Sequence, residues 1–156
     1  MSTRSRIGML MPDGKVKSIY CHWDGYPEGV GRKLQKYYTT PEKVEELLSL
    51  GDISSLGDHY DEKISKADWK KFDLSPAEIE DFMEKEKNCT VAYKDRGDNS
   101  PTRIDDSLSA FVSKMSLCGE EFVYIFEKDH TGIYEWHICE TPWFENLNDY
   151  FAKESD

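Results

Sequence analysis

The chain lacks any hydrophobic run close to the ~18 residues that a membrane span needs. Its first residues also lack the apolar core of a secretory signal peptide. Its four cysteines (Cys21, Cys89, Cys118 and Cys139) are too few in 156 residues for a disulfide scaffold, and none forms a CxxC pair. We therefore expect a soluble, cytoplasmic protein that does not enter a membrane and whose cysteines are buried free thiols.

Familiar cofactor and metal motifs are missing as well. The glycine pattern contains neither the GK[ST] of a P-loop nor the GxGxxG of a dinucleotide site. The nearest approach to a metal site, Cys21-His22 with His137-x-Cys139, matches no standard zinc module. We predict no cofactor, no metal and no assembled set of catalytic residues.

The composition nevertheless indicates a folded chain. Apolar residues make up only 38% of the sequence, but aromatic residues reach 13%, which is too rich for a disordered chain. The length is that of one domain, spanning 1–156. A net charge of -11 repels nucleic acid and anionic membranes, so we expect no direct nucleic-acid binding and no membrane partner.

The charge is divided unevenly along the chain. Residues 1–38 carry seven basic and three acidic side chains, whereas residues 39–156 carry thirteen basic and twenty-eight acidic ones. One interpretation is that the N-terminal bases pair with the acidic remainder. The other is that they form a local site for an anion.

Hydrophobic periodicity and turn residues predict an α+β fold. The expected sheet has about five strands, is mostly antiparallel and includes two hairpins, with turns at Asp13-Gly14 and 129–132. Four or five helices are expected beside it. The strands are predicted near 5–11, 16–23, 89–93, 121–127 and 133–140, and the helices near 30–38, 41–50, 75–87, 105–115 and from 141 onward, with 58–73 as weak helix or loop.

A candidate anion site lies in the N-terminal block. Alternation along the first hairpin places Arg4 and Arg6 on the same face as Tyr20 and His22. The glycine-rich turn that follows leads into a helix, where backbone N–H groups and the helix dipole suit a phosphate or carboxylate. Aromatic side chains offer planar faces for a nucleobase. The predicted ligand-binding residues are Arg4, Arg6, Tyr20, His22, Trp23, Tyr26, Gly29, Gly31, Arg32 and Arg96.

The same block has a second interpretation, a tight strand-to-helix connection with a stacked aromatic cluster and no ligand.

A different site is predicted on the acidic helices, whose carboxylates could imitate a nucleic-acid duplex or keep the protein soluble. The partner-binding residues for this alternative are Glu45, Glu46, Glu80 and Glu84.

Four segments resemble a family of small phage and prophage proteins. They are 2–8 (STRSRIG), 19–27 (IYCHWDGYP), 51–57 (GDISSLG) and 90–97 (TVAYKDRG). The resemblance covers about the first hundred residues and offers no motif whose role can be transferred residue by residue. It implies a phage accessory protein, a class rich in small inhibitors of host enzymes and in proteins that sequester host defence signals.

Three functions follow as expectations. The first is a non-enzymatic protein that sequesters an anionic, nucleotide-like small molecule. The alternative is an acidic inhibitor of a host nucleic-acid-processing or defence enzyme. The third is a small hydrolase acting on a nucleotide, with His22 as acid or base. The sequence specifies neither the ligand nor an oligomeric state.

Overall fold

One mixed β-sheet runs through the protein, flanked by helices. The computed structural model describes residues 2–85, 88–114, 117–139 and 144–154. Its eight strands are β1 (Ser5–Leu10), β2 (Val16–Cys21), β3 (Ile53–Ser55), β4 (Val91–Ala92), β5 (Arg103–Asp105), β6 (Phe122–Lys128), β7 (Tyr134–Cys139) and β8 (Phe144–Asn146).

The strand order is β4-β3-β2-β1-β6-β7-β8, with β5 paired to β2 beyond this path. Strand β1 therefore lies near the centre, although it is the first strand in the chain. The pairings are antiparallel except for β1 with β6 and β2 with β3, which are parallel.

Six α-helices surround this sheet in the described ranges. They are α1 (Arg32–Tyr37), α2 (Pro41–Leu48), α3 (Glu62–Asp68), α4 (Pro76–Lys85), α5 (Leu108–Lys114) and α6 (Leu147–Glu154). A π-helical turn over Pro27–Gly31 runs directly into α1, and short 3-10 turns cover Lys71–Asp73 and Tyr93–Arg96.

Local sequence signals explain two helix starts. The Thr40 hydroxyl accepts a hydrogen bond from Lys43 N, which satisfies one free amide at the start of α2. At α4, the Ser75 hydroxyl accepts from Glu78 N while a Glu78 carboxylate oxygen accepts from Ser75 N. This reciprocal pair is the capping box that the Ser-Pro-Ala-Glu sequence predicts.

The sheet is covered on both faces. The larger core packs α1, α2 and α6 against one face and includes the fully buried Ile7, Ile19 and Leu34. The smaller core lies on the opposite face, where Phe111 of α5 packs with Val16, Val123 and Ile125. Since Arg6 pairs with Val123 across β1 and β6, the Arg6 side chain shares the face with the smaller core.

The α+β class and both hairpins are confirmed, but the sheet has eight strands rather than about five. Strands β3, β5 and β8 are each three residues long, too short to show an alternating pattern. Residues 103–105, which we expected in a loop and at a helix start, pair with β2 instead. The predicted helix end near Lys87, the helical Met115 and the predicted helix start at Thr141-Pro142 lie outside the described residues. Residues 144–146, which we also predicted as part of the last helix, form β8 instead, and α6 begins at Leu147.

Cysteine burial corrects one expectation. Cys21, Cys89 and Cys139 are buried thiols outside any disulfide, as predicted, whereas Cys118 is exposed. Cys118 follows α5 in the segment that leads to β6, where no pattern of buried positions constrains it.

No helix in the described ranges is long and apolar enough to cross a membrane.

Candidate functional site

Arg6 is built into the interior rather than into a ligand site. Its Nε lies 2.5 Å from Glu120 Oε2, and the two side chains are only 4% and 0% exposed. Its Nη1 donates to the Ser18 hydroxyl at 3.0 Å, and Glu120 Oε1 accepts from Cys118 N at 2.7 Å. Buried charges persist when they are paired and hydrogen-bonded in this way. The structure therefore removes Arg6 from the predicted anion site.

Arg4 differs from Arg6 although it is only two residues away. It is exposed, and its Nη1 donates to Cys118 O at 3.1 Å. Within the described residues it forms no ion pair. Its guanidinium is thus available to an anion.

Tyr20 and His22 lie together beside Arg4. The Tyr20 hydroxyl is 2.8 Å from His22 Nδ1, and the His22 ring meets the Trp23 ring edge-on at 4.8 Å between centroids. Partial burial lowers the pKa of His22, and the nearby Arg4 lowers it further. The ring is therefore neutral at pH 7, and in the tautomer that carries its proton on Nε2, the Nδ1 atom accepts a hydrogen bond from the Tyr20 hydroxyl.

The glycine turn adopts the tight connection that was our second interpretation. Its amides are used within the turn, because Gly29 N donates to Tyr26 O and Val30 N donates to Asp24 O. A Cβ on Gly29 would lie 2.3 Å from Asp24 O, and one on Gly31 would lie 3.2 Å from the Tyr124 ring. These two glycines permit close packing, and we no longer assign them to an anion.

Two other predicted residues also lie apart from Arg4. Arg32 places its guanidinium 3.5 Å from the centre of the Phe151 ring on α6, so it stabilises helix packing. Tyr26 is 40% exposed, and its hydroxyl lies 3.4 Å from Asp24 Oδ1. It stands at the edge of the site described next.

A cleft of about 580 Å³ opens beyond the carboxyl ends of β2 and β3, and we call it the tryptophan cleft. These two strands are parallel, and their hydrogen bonding continues past the end of β2, where Trp23 N donates to Ser54 O of β3. In open sheets, ligands bind in crevices at such carboxyl ends. The lining residues are Trp23, Asp24, Lys33, Ser54, Ser55, Leu56, Asp68, Trp69, Lys71, Phe72, Asn88, Cys89 and Val91.

Aromatic and cationic groups are combined in this cleft. Trp23 is 44% exposed and Phe72 is 84% exposed, so both present ring surface to solvent. Lys33 Nζ donates to Leu56 O at 2.9 Å and forms no ion pair within the described residues. Lys71, by contrast, is paired with Asp68 at 3.1 Å.

Backbone strain is concentrated at the same place. Only two non-glycine residues in the described ranges have a positive φ, Asp24 at 57° and Asn88 at 68°, and both line the cleft. The left-handed conformation costs roughly 1–2 kcal/mol for residues with a Cβ, although Asp and Asn tolerate it best. Strain of this kind clusters at functional sites.

Arg96 does not line the cleft but contacts a tryptophan that does. Its guanidinium lies 4.7 Å from the Trp69 ring centre and 5.1 Å from that of Tyr93, and it pairs with Asp98. The Trp69 indole is held in turn by a hydrogen bond from its Nε1 to Ala92 O at 2.9 Å. Arg96 therefore helps to position Trp69, whereas Arg4 lies near His22, the neighbour of Trp23.

The acidic residues of the alternative site occupy two separate helices. Glu45 and Glu46 are exposed on α2, which packs against β1 and β2. Glu80 and Glu84 are exposed on α4, which contacts the 3-10 turn at 71–73. The carboxylates therefore belong to different parts of the molecule.

Sequence reasoning missed several cleft residues. Lys33, Trp69, Lys71, Phe72 and Asn88 come from three segments that only the fold brings together. One signal was present in the sequence: the run Trp69-Lys70-Lys71-Phe72 places two lysines between two aromatic residues in an otherwise acidic region.

The described residues contain no group of three or more His, Cys, Asp or Glu side chains that could hold a metal ion. Comparisons of the chain with protein-family models, with curated proteins and with solved structures found no match. The functional argument therefore depends on the geometry of the cleft.

Proposed function

We propose that this protein binds and sequesters an anionic, nucleotide-like small molecule in the tryptophan cleft. The observation that carries the proposal is that two indoles and an exposed phenyl ring line the same cleft as the Lys33 ammonium, which forms no ion pair within the described residues. The resemblance of four segments to small phage proteins supports a role as a phage accessory protein that removes a host signal.

A nucleotide uses every kind of group that the cleft offers. A nucleobase stacks on the faces of Trp23 and Trp69. The phosphate meets Lys33. The Asp24 carboxylate accepts hydrogen bonds from a ribose hydroxyl or a base amino group. An inorganic anion would leave the aromatic surface and this acceptor without a role.

The volume of the cleft agrees with a ligand of this size. Small-molecule sites range over about 300–1,000 Å³, and the tryptophan cleft holds about 580 Å³. We place sequestration ahead of hydrolysis because ring surface and a lysine ammonium are features of a binding site.

The experiment is a thermal melt of the purified protein against cyclic and linear nucleotides, with phosphate and sulfate as controls. A ligand at 100 times its dissociation constant stabilises the folded state by about 2.7 kcal/mol. For a domain of this length each kcal/mol raises Tm by about 2–4 °C. We expect a nucleotide-specific rise, and a flat panel would overturn the proposal.

Variants locate the site and distinguish binding from hydrolysis. Trp23→Ala and Lys33→Gln should each weaken binding about tenfold or more, since each removes a stacking face or a charge-assisted hydrogen bond. Arg32→Gln, one residue from Lys33 but directed at Phe151, is the matched control and should bind normally. Recovery of the intact ligand by chromatography supports sequestration, whereas its breakdown would favour the hydrolase.

One observation keeps the inhibitor as a second candidate. None of the α4 side chains described is buried, and Met83 is 52% exposed among Glu80, Glu84 and Ile79. An apolar ridge flanked by carboxylates suits a basic surface on a protein. If the nucleotide panel is flat and Glu80→Lys with Glu84→Lys abolishes inhibition of a host enzyme, this candidate replaces the first.

A further inference from the structure

A second cavity lies on the other side of the loop that follows β3. It encloses about 310 Å³ between α1, α2 and residues 58–60, and we call it the tyrosine pocket. Its floor consists of the buried Leu47, Leu50 and Tyr38. Tyr37 and Tyr60 form its partly exposed walls.

The pocket is preformed. The Tyr38 hydroxyl donates to Gly57 O at 2.7 Å, and the Tyr60 hydroxyl donates to Asp95 Oδ2 at 2.7 Å. The carbonyl of Tyr38 accepts from Trp136 Nε1 at 2.7 Å, which fixes the backbone at the end of α1. Two of the tyrosines thus present their rings to the cavity while their hydroxyls are already satisfied. Such rigidity reduces the entropy that binding must overcome.

Two side chains of opposite charge that form no ion pair within the described residues line the same cavity. Lys43 and Glu46 are both exposed on α2, and neither forms an ion pair within the described residues. Two further polar side chains at the rim contact each other, because His59 Nδ1 lies 2.5 Å from Asp58 Oδ1. The pocket therefore offers one free ammonium and one free carboxylate beside an aromatic interior.

We propose that the tyrosine pocket binds a free aromatic α-amino acid. The ring of the ligand packs between Tyr37 and Tyr60 above the leucine floor, in the offset or edge-on arrangements that aromatic pairs prefer. The ligand carboxylate meets Lys43 and its ammonium meets Glu46. A volume near the lower end of the range for small-molecule sites fits one amino acid rather than a nucleotide.

The chemistry distinguishes a free amino acid from the end of a peptide. An N-terminal residue retains its ammonium but has no carboxylate, and a C-terminal residue has the reverse. Only a free amino acid occupies Lys43 and Glu46 together. Three probes with the same ring separate these cases: phenylalanine, phenylalanine amide and N-acetylphenylalanine.

Isothermal titration of the full chain with the three probes tests the proposal. We expect phenylalanine to bind at least about tenfold more tightly than either derivative, a difference of about 1.4 kcal/mol. Equal affinities for all three, or no saturable binding of phenylalanine, would overturn the proposal.

Charge variants provide a crossed control. Lys43→Gln should weaken phenylalanine about tenfold and leave the amide unchanged, and Glu46→Gln should weaken phenylalanine and leave the N-acetyl derivative unchanged. Glu45→Gln, the neighbouring exposed carboxylate outside the pocket lining, should change nothing. Since these side chains are exposed, thermal melts should confirm that every variant folds. An effect of Glu45→Gln equal to that of Glu46→Gln would refute the assignment.

Discussion

One face of the sheet is covered by a helix at one end and is accessible to solvent at the other. Under α5 it is closed: Phe111, Val16 and Val123 exclude water, and next to them Arg6 is paired with Glu120. Around Tyr20 and His22 the same face is open, and Arg4 lies exposed beside them. Two arginines in one short motif therefore have different roles. Local sequence places both on one face, but the cover over that face decides which of them can meet a ligand.

Removing each arginine should give the largest contrast between the two ends. Arg6→Met leaves the Glu120 carboxylate buried and unpaired, and this should lower the free energy of unfolding by about 3–5 kcal/mol. Arg4→Met changes an exposed side chain, so its cost should stay within about 0.5 kcal/mol. Chemical denaturation measures both.

The double variant Arg6→Met with Glu120→Gln serves as the control for this contrast. It removes the uncompensated charge and keeps an acceptor for Cys118 N, so it should regain part of the lost stability. If Arg4→Met and Arg6→Met cost the same, the division of the face into a closed and an open end is wrong.

Backbone strain at the open end should give a smaller effect. Because Asp24 has a φ of 57°, Asp24→Ala should be less stable than Asp24→Gly by about 1 kcal/mol. Asp149 in the first turn of α6 is the matched position, and there Gly should be the less stable of the two by a similar amount. Urea unfolding of the four variants gives the comparison, and the same order at both positions would contradict it.

The smallest effect concerns pH. The pKa of His22 is held below its ordinary value of 6.5 by burial and by Arg4. The unfolded chain therefore takes up this proton at a higher pH than the folded one, and the stability that the neutral ring contributes falls as pH drops below about 6.5. NMR titration of the His22 ring should show the lowered pKa.

Arg4→Gln sharpens this measurement. It should raise the pKa of His22 part of the way toward 6.5, because burial remains after the nearby charge is removed. A pKa above 6.5 in the unmodified protein, or no change in Arg4→Gln, would contradict the proximity of Arg4 to this ring.

Much of the fold could be predicted because its signals are local. The Asp13-Gly14 turn and the alternation around it specify the first hairpin, and the Ser75-to-Glu78 box specifies the start of α4. The short strands β3 and β8 could not be predicted in this way, because three residues carry no usable period. They exist because neighbouring strands supply hydrogen-bond partners.

The candidate site could be predicted only in part, for a related reason. Arg4 and the pair His22-Trp23 lie at the two ends of a predicted hairpin, and the structure places Arg4 near His22, whose ring contacts Trp23. Alternation alone could not show that Arg6 is buried and Arg4 exposed, because Glu120, the ion-pair partner of Arg6, is more than one hundred residues away in the sequence. Trp69 and Lys33 lie in the same cleft as Trp23, at the end of the parallel pair β2 and β3, and a pairing between distant strands leaves no local signal in the sequence.

The central position of β1 has a consequence for how the chain folds. Strand β1 has its hairpin partner β2 within a few residues, but its other edge pairs with β6, which begins only at Phe122. Contacts between distant parts of a sequence form slowly, and an unpaired strand edge can recruit other chains in the meantime. During synthesis this edge of β1 therefore stays unpaired until β6 has left the ribosome.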